Sequence, residues 1–88
     1  MNNNNKYIII NNIKLLLQNE IFNGDNLINF IIENNLDVNM FNKNKDELIN
    51  EILTMLMYKS YKYIIKINVI INEYKEELRI LNEYLNKL

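Results

Sequence analysis

The chain has 88 residues, a net charge of −1 and 49% apolar residues. It contains no Cys, His, Pro or Trp, and one glycine, Gly24. That length fits one domain with a core of its own. The charge offers no bulk attraction to nucleic acid or acidic lipid. The missing His and Cys remove Ser–His and Cys–His nucleophile systems, and zinc or haem sites of the usual kind.

The 20 Asn, the absent Ala and the single Arg79 share one cause, an AT-rich coding sequence. A virus, phage or other mobile element is the expected origin, and asparagine is a default surface residue. No apolar run approaches the roughly 18 residues of a membrane span. The start carries Lys6 and an apolar stretch broken by Asn11, Asn12 and Lys14, without a small-residue cleavage site. A soluble, intracellular, cytoplasmic protein is expected, without cofactor.

Residues 1–5, MNNNN, are expected to fray. From Tyr7 to Phe22, the apolar residues Ile9, Ile10, Ile13, Leu16, Leu17 and Ile21 recur at spacings of three and four, as on one helix face. The Ile-rich start also suits a short strand, but no second strand with turn signals follows. Asn23-Gly24-Asp25 is the strong breaker, read as a helix C-cap at Gly24 and an N-cap at Asp25. A second helix runs from Asn26 to about Asn35, with Leu27, Ile28, Phe30, Ile31 and Ile32 inward. Leu36 to Asn44 form a loop whose Val38, Met40 and Phe41 are expected to tuck onto the core. Asp46 is read as the cap of a third helical region, with Glu47 in its first turn.

No Gly or Pro occurs from Lys45 to Leu88. This allows one helix of over 40 residues, on the order of 60 Å long, or two helices broken near Ser60. Tyr61 to Ile70 is rich in β-branched residues and alternates at period two, as a strand would. A stronger period competes with it. Ile64, Ile67, Ile71, Tyr74, Leu78, Leu81, Leu85 and Leu88 form an unbroken heptad seam, extendable back through Ser60, Met57 and Leu53. The seam decides for helix.

Few groups suggest chemistry. Ser60 beside Lys59 and Lys62 lacks the glycines that build an oxyanion hole. Asp46, Glu47 and Glu51, and then Glu73, Glu76, Glu77 and Glu83, mix with Lys75, Arg79 and Lys87 and read as solvated helix faces. Asp37-Val38-Asn39 starts like a calcium loop but places Phe41 and Leu48 where oxygen ligands belong. Tyr58, Lys59, Tyr61, Lys62, Tyr63 and Lys66 interleave bases and aromatics. Such a run suits phosphate tracking and base stacking, and it also suits a Tyr-rich core edge or protein interface.

Asn23 to Asn44, NGDNLINFIIENNLDVNMFNKN, resembles the second helix and following loop of an ankyrin repeat, with Asp37-Val38-Asn39 at the matching place. Leu27 to Leu53, ending in KDELINEIL, is similar to the helix–extended loop–helix of SAP and Rho N-terminal modules through Leu36, Lys45, Leu48, Ile49 and Ile52. That second resemblance implies nucleic-acid binding. Each covers a quarter to a third of the chain, and neither is taken as its family.

The expectation is an all-α protein: a single domain, a small helical bundle with a long, heptad-patterned C-terminal helix, coiled-coil-like over residues 64–88. By elimination it is non-catalytic, a small adaptor or inhibitor binding a protein partner, itself or both. Tyr74, Leu78, Leu81, Tyr84, Leu85 and Leu88 are the expected partner-binding residues. Near Ile64 to Ile71 the seam is expected to pack on the first two helices. Its outer part, Leu78 to Leu88, is expected to make an antiparallel self-association or a partner contact. The alternative is a nucleic-acid-binding or regulatory module using Tyr58, Lys59, Lys62 and Lys66.

Overall fold

The computed structural model describes residues 3–88. Among them the chain forms four α-helices and no strand: α1 Asn3–Leu17, α2 Gly24–Glu33, α3 Lys45–Met57 and α4 Tyr61–Asn86. The architecture is all-α, and the long C-terminal helix is present.

Each boundary has a chemical cause. After α1, Asn19 builds the turn: its side-chain oxygen accepts from the Ile21 amide and its carbonyl accepts from the Phe22 amide. The Asn23 side chain then accepts from the Asn26 amide at 2.8 Å and caps α2. α2 ends where Asn35 turns left-handed, at φ 51°. The Leu36 amide donates to the Ile31 carbonyl and the Asn35 amide to that of Ile32. This is a Schellman closure, with buried Leu36 and Ile31 as its apolar pair. Asn44 opens α3 with a reciprocal capping box: it accepts from the Glu47 amide, and the Glu47 carboxylate accepts from the Asn44 amide. Ser60, in extended conformation, opens α4 by accepting from the Tyr63 amide.

α1 lies against both α3 and α4, and α2 lies against α3. The Lys6 ammonium donates to the Met57 carbonyl at the start of α1, and Lys45 donates to the Asn19 carbonyl beyond its end. α3 therefore runs antiparallel to α1. α4 reverses again, so α1 and α4 run parallel, with Asn12 and Leu16 along the same groove as Asn68, Asn72 and Lys75. The core is entirely apolar. Ile13, Leu17, Phe22, Leu27, Phe30, Ile31, Leu48, Ile52, Leu56, Ile64, Ile67 and Ile71 are its most enclosed side chains.

Several sequence expectations change. Asn3 to Asn5 are helical rather than frayed, because α1 begins at Asn3; Met1 and Asn2 lie outside the described residues. Gly24 is the first residue of α2 rather than a C-cap, since Asn23 already satisfies the helix start. Asn44 rather than Asp46 caps α3, because its side chain reaches the Glu47 amide. Val38 and Met40 pack on the core, but Phe41 is 85% exposed, turned out by the Asn39 side chain, which accepts from its amide. Ile32 also faces solvent. Of the two arrangements open after Lys45, the chain takes the one with two helices broken near Ser60. Ser60 caps the second, so the seam does not run back through Met57, which is half-exposed. Tyr61 to Ile71 is helix throughout, as the heptad seam predicts.

Candidate functional site

α4 is 26 residues long, about 39 Å at 1.5 Å per residue, and the molecule is 48 Å along its longest axis. The other helices cover only part of it. Ile64, Ile67 and Ile71 are buried, Tyr74 and Leu78 are partly buried, and every residue from Arg79 to Leu88 is exposed. The outer two and a half turns therefore extend beyond the core.

Tyr74 marks the transition. Its ring stacks on Phe30 at 5.7 Å between centroids and meets Phe22 edge-on at 6.0 Å. Its hydroxyl donates to the Asn26 carbonyl at 3.3 Å. Burial pushes the phenol above its usual range, helped by the Glu33 and Glu77 carboxylates. Tyr74 thus faces α2 within its own chain, and Leu78 packs beside it on the core.

Beyond Leu78 the apolar pattern continues without a covering surface. Leu81 is 51% exposed and Leu88 86%, with Tyr84, Leu85 and Ile80 between these values. At 100° per residue, Ile80, Tyr84, Leu88, Leu81, Leu85 and Leu78 fall within one face nearly half the helix circumference wide. Glu77 is the charged residue at the inner end of that face. The opposite face is polar: Lys75, Glu76, Arg79, Asn82, Glu83 and Asn86. There Arg79 bridges Glu76 one turn back and Glu83 one turn on. The Arg79 hydrogen bond holds the Glu76 carboxyl below its ordinary range, and both carboxylates raise the guanidinium further above its own. This face is internally paired, which leaves the apolar face as the chemically unsatisfied one.

The structure divides the six expected partner-binding residues. Leu81, Tyr84, Leu85 and Leu88 are brought together on the overhang, Tyr74 serves the fold, and Leu78 is partly buried at the boundary between the two. Ile80, which lies outside the heptad seam, belongs with the four and widens the face. Sequence reasoning also missed an exposed row on α1, Tyr7, Ile8 and Leu15. Its signal was that these residues fall off the three-and-four spacing that the core uses.

The basic–aromatic stretch lies at the α3–α4 corner. Tyr58 is 86% exposed, and Lys59, Lys62 and Lys66 are exposed with it. Lys59 sits over the Tyr63 ring at 5.4 Å, and burial raises the Tyr63 phenol above its usual range. Tyr61 and Tyr63 are half-buried against the body. Among the described residues no three acidic side chains are grouped so as to hold a metal ion. No helix of the described chain is long and apolar enough to cross a membrane.

Protein-family models, curated proteins and solved structures were compared with this chain, and none matches.

Proposed function

We propose that this is a non-catalytic interaction module, a small intracellular adaptor or inhibitor, that holds a protein partner through the outer half of α4. One observation carries the reading: five large apolar side chains, Ile80, Leu81, Tyr84, Leu85 and Leu88, share one exposed face beyond the core. Water penalises such a face, at about 25 cal/mol per Å² of apolar area, and a helix stripe of this width is what helix-in-groove and helix-pairing interfaces bury. The polar face, with its Arg79 bridges, keeps the segment helical and leaves it hydrated on one side. The test compares proteins captured from the native host by the wild type and by Leu81→Asp/Leu85→Asp, read by mass spectrometry. A partner retained by the first and lost by the second supports the reading; identical captures, at unchanged helicity and unchanged oligomer mass, refute it.

A second reading rests on Tyr58, Lys59, Lys62 and Lys66, which all reach solvent on one corner. Four such residues suit a short stretch of single-stranded nucleic acid better than a duplex, because few phosphates are neutralised. Binding that collapses with added salt, and is lost on changing the three lysines to Glu, would establish it.

A further inference from the structure

We infer that the occupant of the overhang is a second copy of this chain, paired antiparallel about a two-fold axis near Glu83. This rests on the overhang being a protein-binding face, and it names the partner. The argument begins with the seam. In an antiparallel pair of helices, seam residues of one chain layer against those of the other in reverse order. Leu78 then meets Leu88 of the second copy, Leu81 meets its Leu85, and the same layers repeat on the far side of the axis. Four leucines from each chain close one dry strip, and Tyr84 and Ile80 cover the same side of it.

Charge placement selects this orientation. Glu77 stands at the inner end of the apolar face and Lys87 at its outer end, both on the side that carries Tyr84. Among the described residues neither takes part in an ion pair. An antiparallel two-fold brings Lys87 of each copy to within two residues, about 3 Å along the helix axis, of the level of Glu77 on the other. That is within reach of a long lysine side chain, so the contact forms twice. Glu33 and Glu73 line the same depression as Glu77 and Tyr74, which makes the receiving surface acidic. A parallel pair instead sets Glu77 against Asn82 and Lys75 against Ile70. The remaining flanking positions of the overhang, Asn82 and Tyr84, are uncharged, so self-pairing brings no like charges together. The Arg79 bridges pair Glu76 and Glu83 on the polar face, which leaves Lys75 as its one charge outside an ion pair among the described residues.

Area and shape agree. The five exposed side chains offer on the order of 500 Å² per chain, so pairing hides about 1,000 Å², the lower edge of what a specific dimer buries. Residues 79–88 are exposed throughout, so a second helix lies alongside and reaches the body only at its tip, beside Glu77 and Glu33. An interface at this lower edge belongs with weak, reversible associations.

Sedimentation velocity over a concentration series, with circular dichroism of every variant, tests the inference. The expected result is a monomer–dimer equilibrium for the wild type. Lys87→Glu and Glu77→Lys should each weaken it about tenfold, because two attractions become two repulsions. The double variant Glu77→Lys/Lys87→Glu should return it to within about twofold of the wild type. Both positions are exposed, so the variants keep the fold. A dimer indifferent to both single swaps overturns the antiparallel pairing. A wild type that stays monomeric at several hundred micromolar overturns the second copy as occupant. If that monomer still captures a host protein in a Leu81- and Leu85-dependent way, the binding face stands and a foreign partner fills it; if it captures none, that reading fails as well.

Discussion

Tyr74 separates the part of the seam that folds the chain from the part proposed to bind, and its variants give the sharpest check on that division. Tyr74→Leu removes a ring stacked on Phe30 and edge-on to Phe22. Aromatic pairs contribute about 0.5–1.5 kcal/mol each beyond their buried area. The hydroxyl bond to the Asn26 carbonyl, long at 3.3 Å, belongs at the low end of the 0.5–1.5 kcal/mol that a hydrogen bond contributes. Leucine keeps part of the apolar contact, so the loss should be about 2 kcal/mol for Tyr74→Leu and about 0.5 kcal/mol for Tyr74→Phe. In a domain of this size 1 kcal/mol moves the melting temperature by about 4–8 °C. The leucine variant should therefore melt about 10 °C below the wild type, and the phenylalanine variant about 3 °C below.

Melts followed by far-ultraviolet circular dichroism measure this. They belong at low protein concentration, where the proposed dimer is dissociated, since association raises the apparent melting temperature by mass action. Leu85→Asp under the same conditions should barely change the melt, because Leu85 is half-exposed in the single chain. The reasoning is refuted by the reverse pattern, in which Tyr74→Leu melts like the wild type and Leu85→Asp unfolds the monomer. Tyr74 would then face outward, and the overhang would pack on the body.

Gly24→Ala should stabilise the fold by about 0.5–1 kcal/mol in denaturant titration, because Gly24 is helical, has no positive φ, and leaves open space where a Cβ would stand. A loss of stability would return it to the C-cap role that the sequence suggests. Asn44→Ala should cost about 1–2 kcal/mol by removing the capping box, whereas Asp46→Asn should cost a few tenths. Tyr63 and Tyr74 have phenols raised above their ordinary value in the folded state. Their contribution is complete below about pH 10 and lost as pH climbs through the folded values; Tyr74→Phe should flatten that alkaline decline. In hydrogen exchange at low concentration, amides of residues 79–86 should exchange faster than those of residues 64–75, and should slow as concentration rises; uniform protection along α4 at every concentration would contradict the overhang.

The helices themselves were legible because the apolar residues keep a period. Ile64, Ile67 and Ile71 repeat at heptad spacing and are all buried, so the seam outvoted the β-branched run of Tyr61 to Ile70. The boundaries were harder, and asparagine is the reason. Asn23 and Asn44 cap helices, while Asn35 and Asn42 take left-handed φ of 51° and 57°. In a chain with 20 asparagines these four are indistinguishable by composition from those on solvated faces. The break before α4 is only half-legible: the sequence allows a break near Ser60 but does not require one, because a single serine hydroxyl makes it, with neither Gly nor Pro. As for the candidate site, the heptad pattern marks Leu81, Leu85 and Leu88 as apolar. It does not record how far the first three helices reach along α4. That reach depends on the lengths of α1 and α2 and on where the body ends, which only the packed structure fixes.

The placement of the overhang also constrains how binding and folding depend on each other. A helical segment of about ten residues without tertiary contacts is marginal in water, since nucleation costs more than so few hydrogen bonds return. Here nucleation is already complete, because the same helix is buried from Ile64 to Ile71. The outer turns need only propagate, aided by the Arg79 bridges to Glu76 and Glu83. The apolar face is thus presented in helical form before a partner arrives, so association does not bear the full ordering cost that a disordered segment would. Destabilising the inner seam would loosen the outer turns and weaken binding with them, while substitutions at Leu81 or Leu85 act on binding and leave the inner seam intact. The dependence runs one way in the monomer and both ways in the complex, where burying the outer face adds to the stability of α4 as a whole.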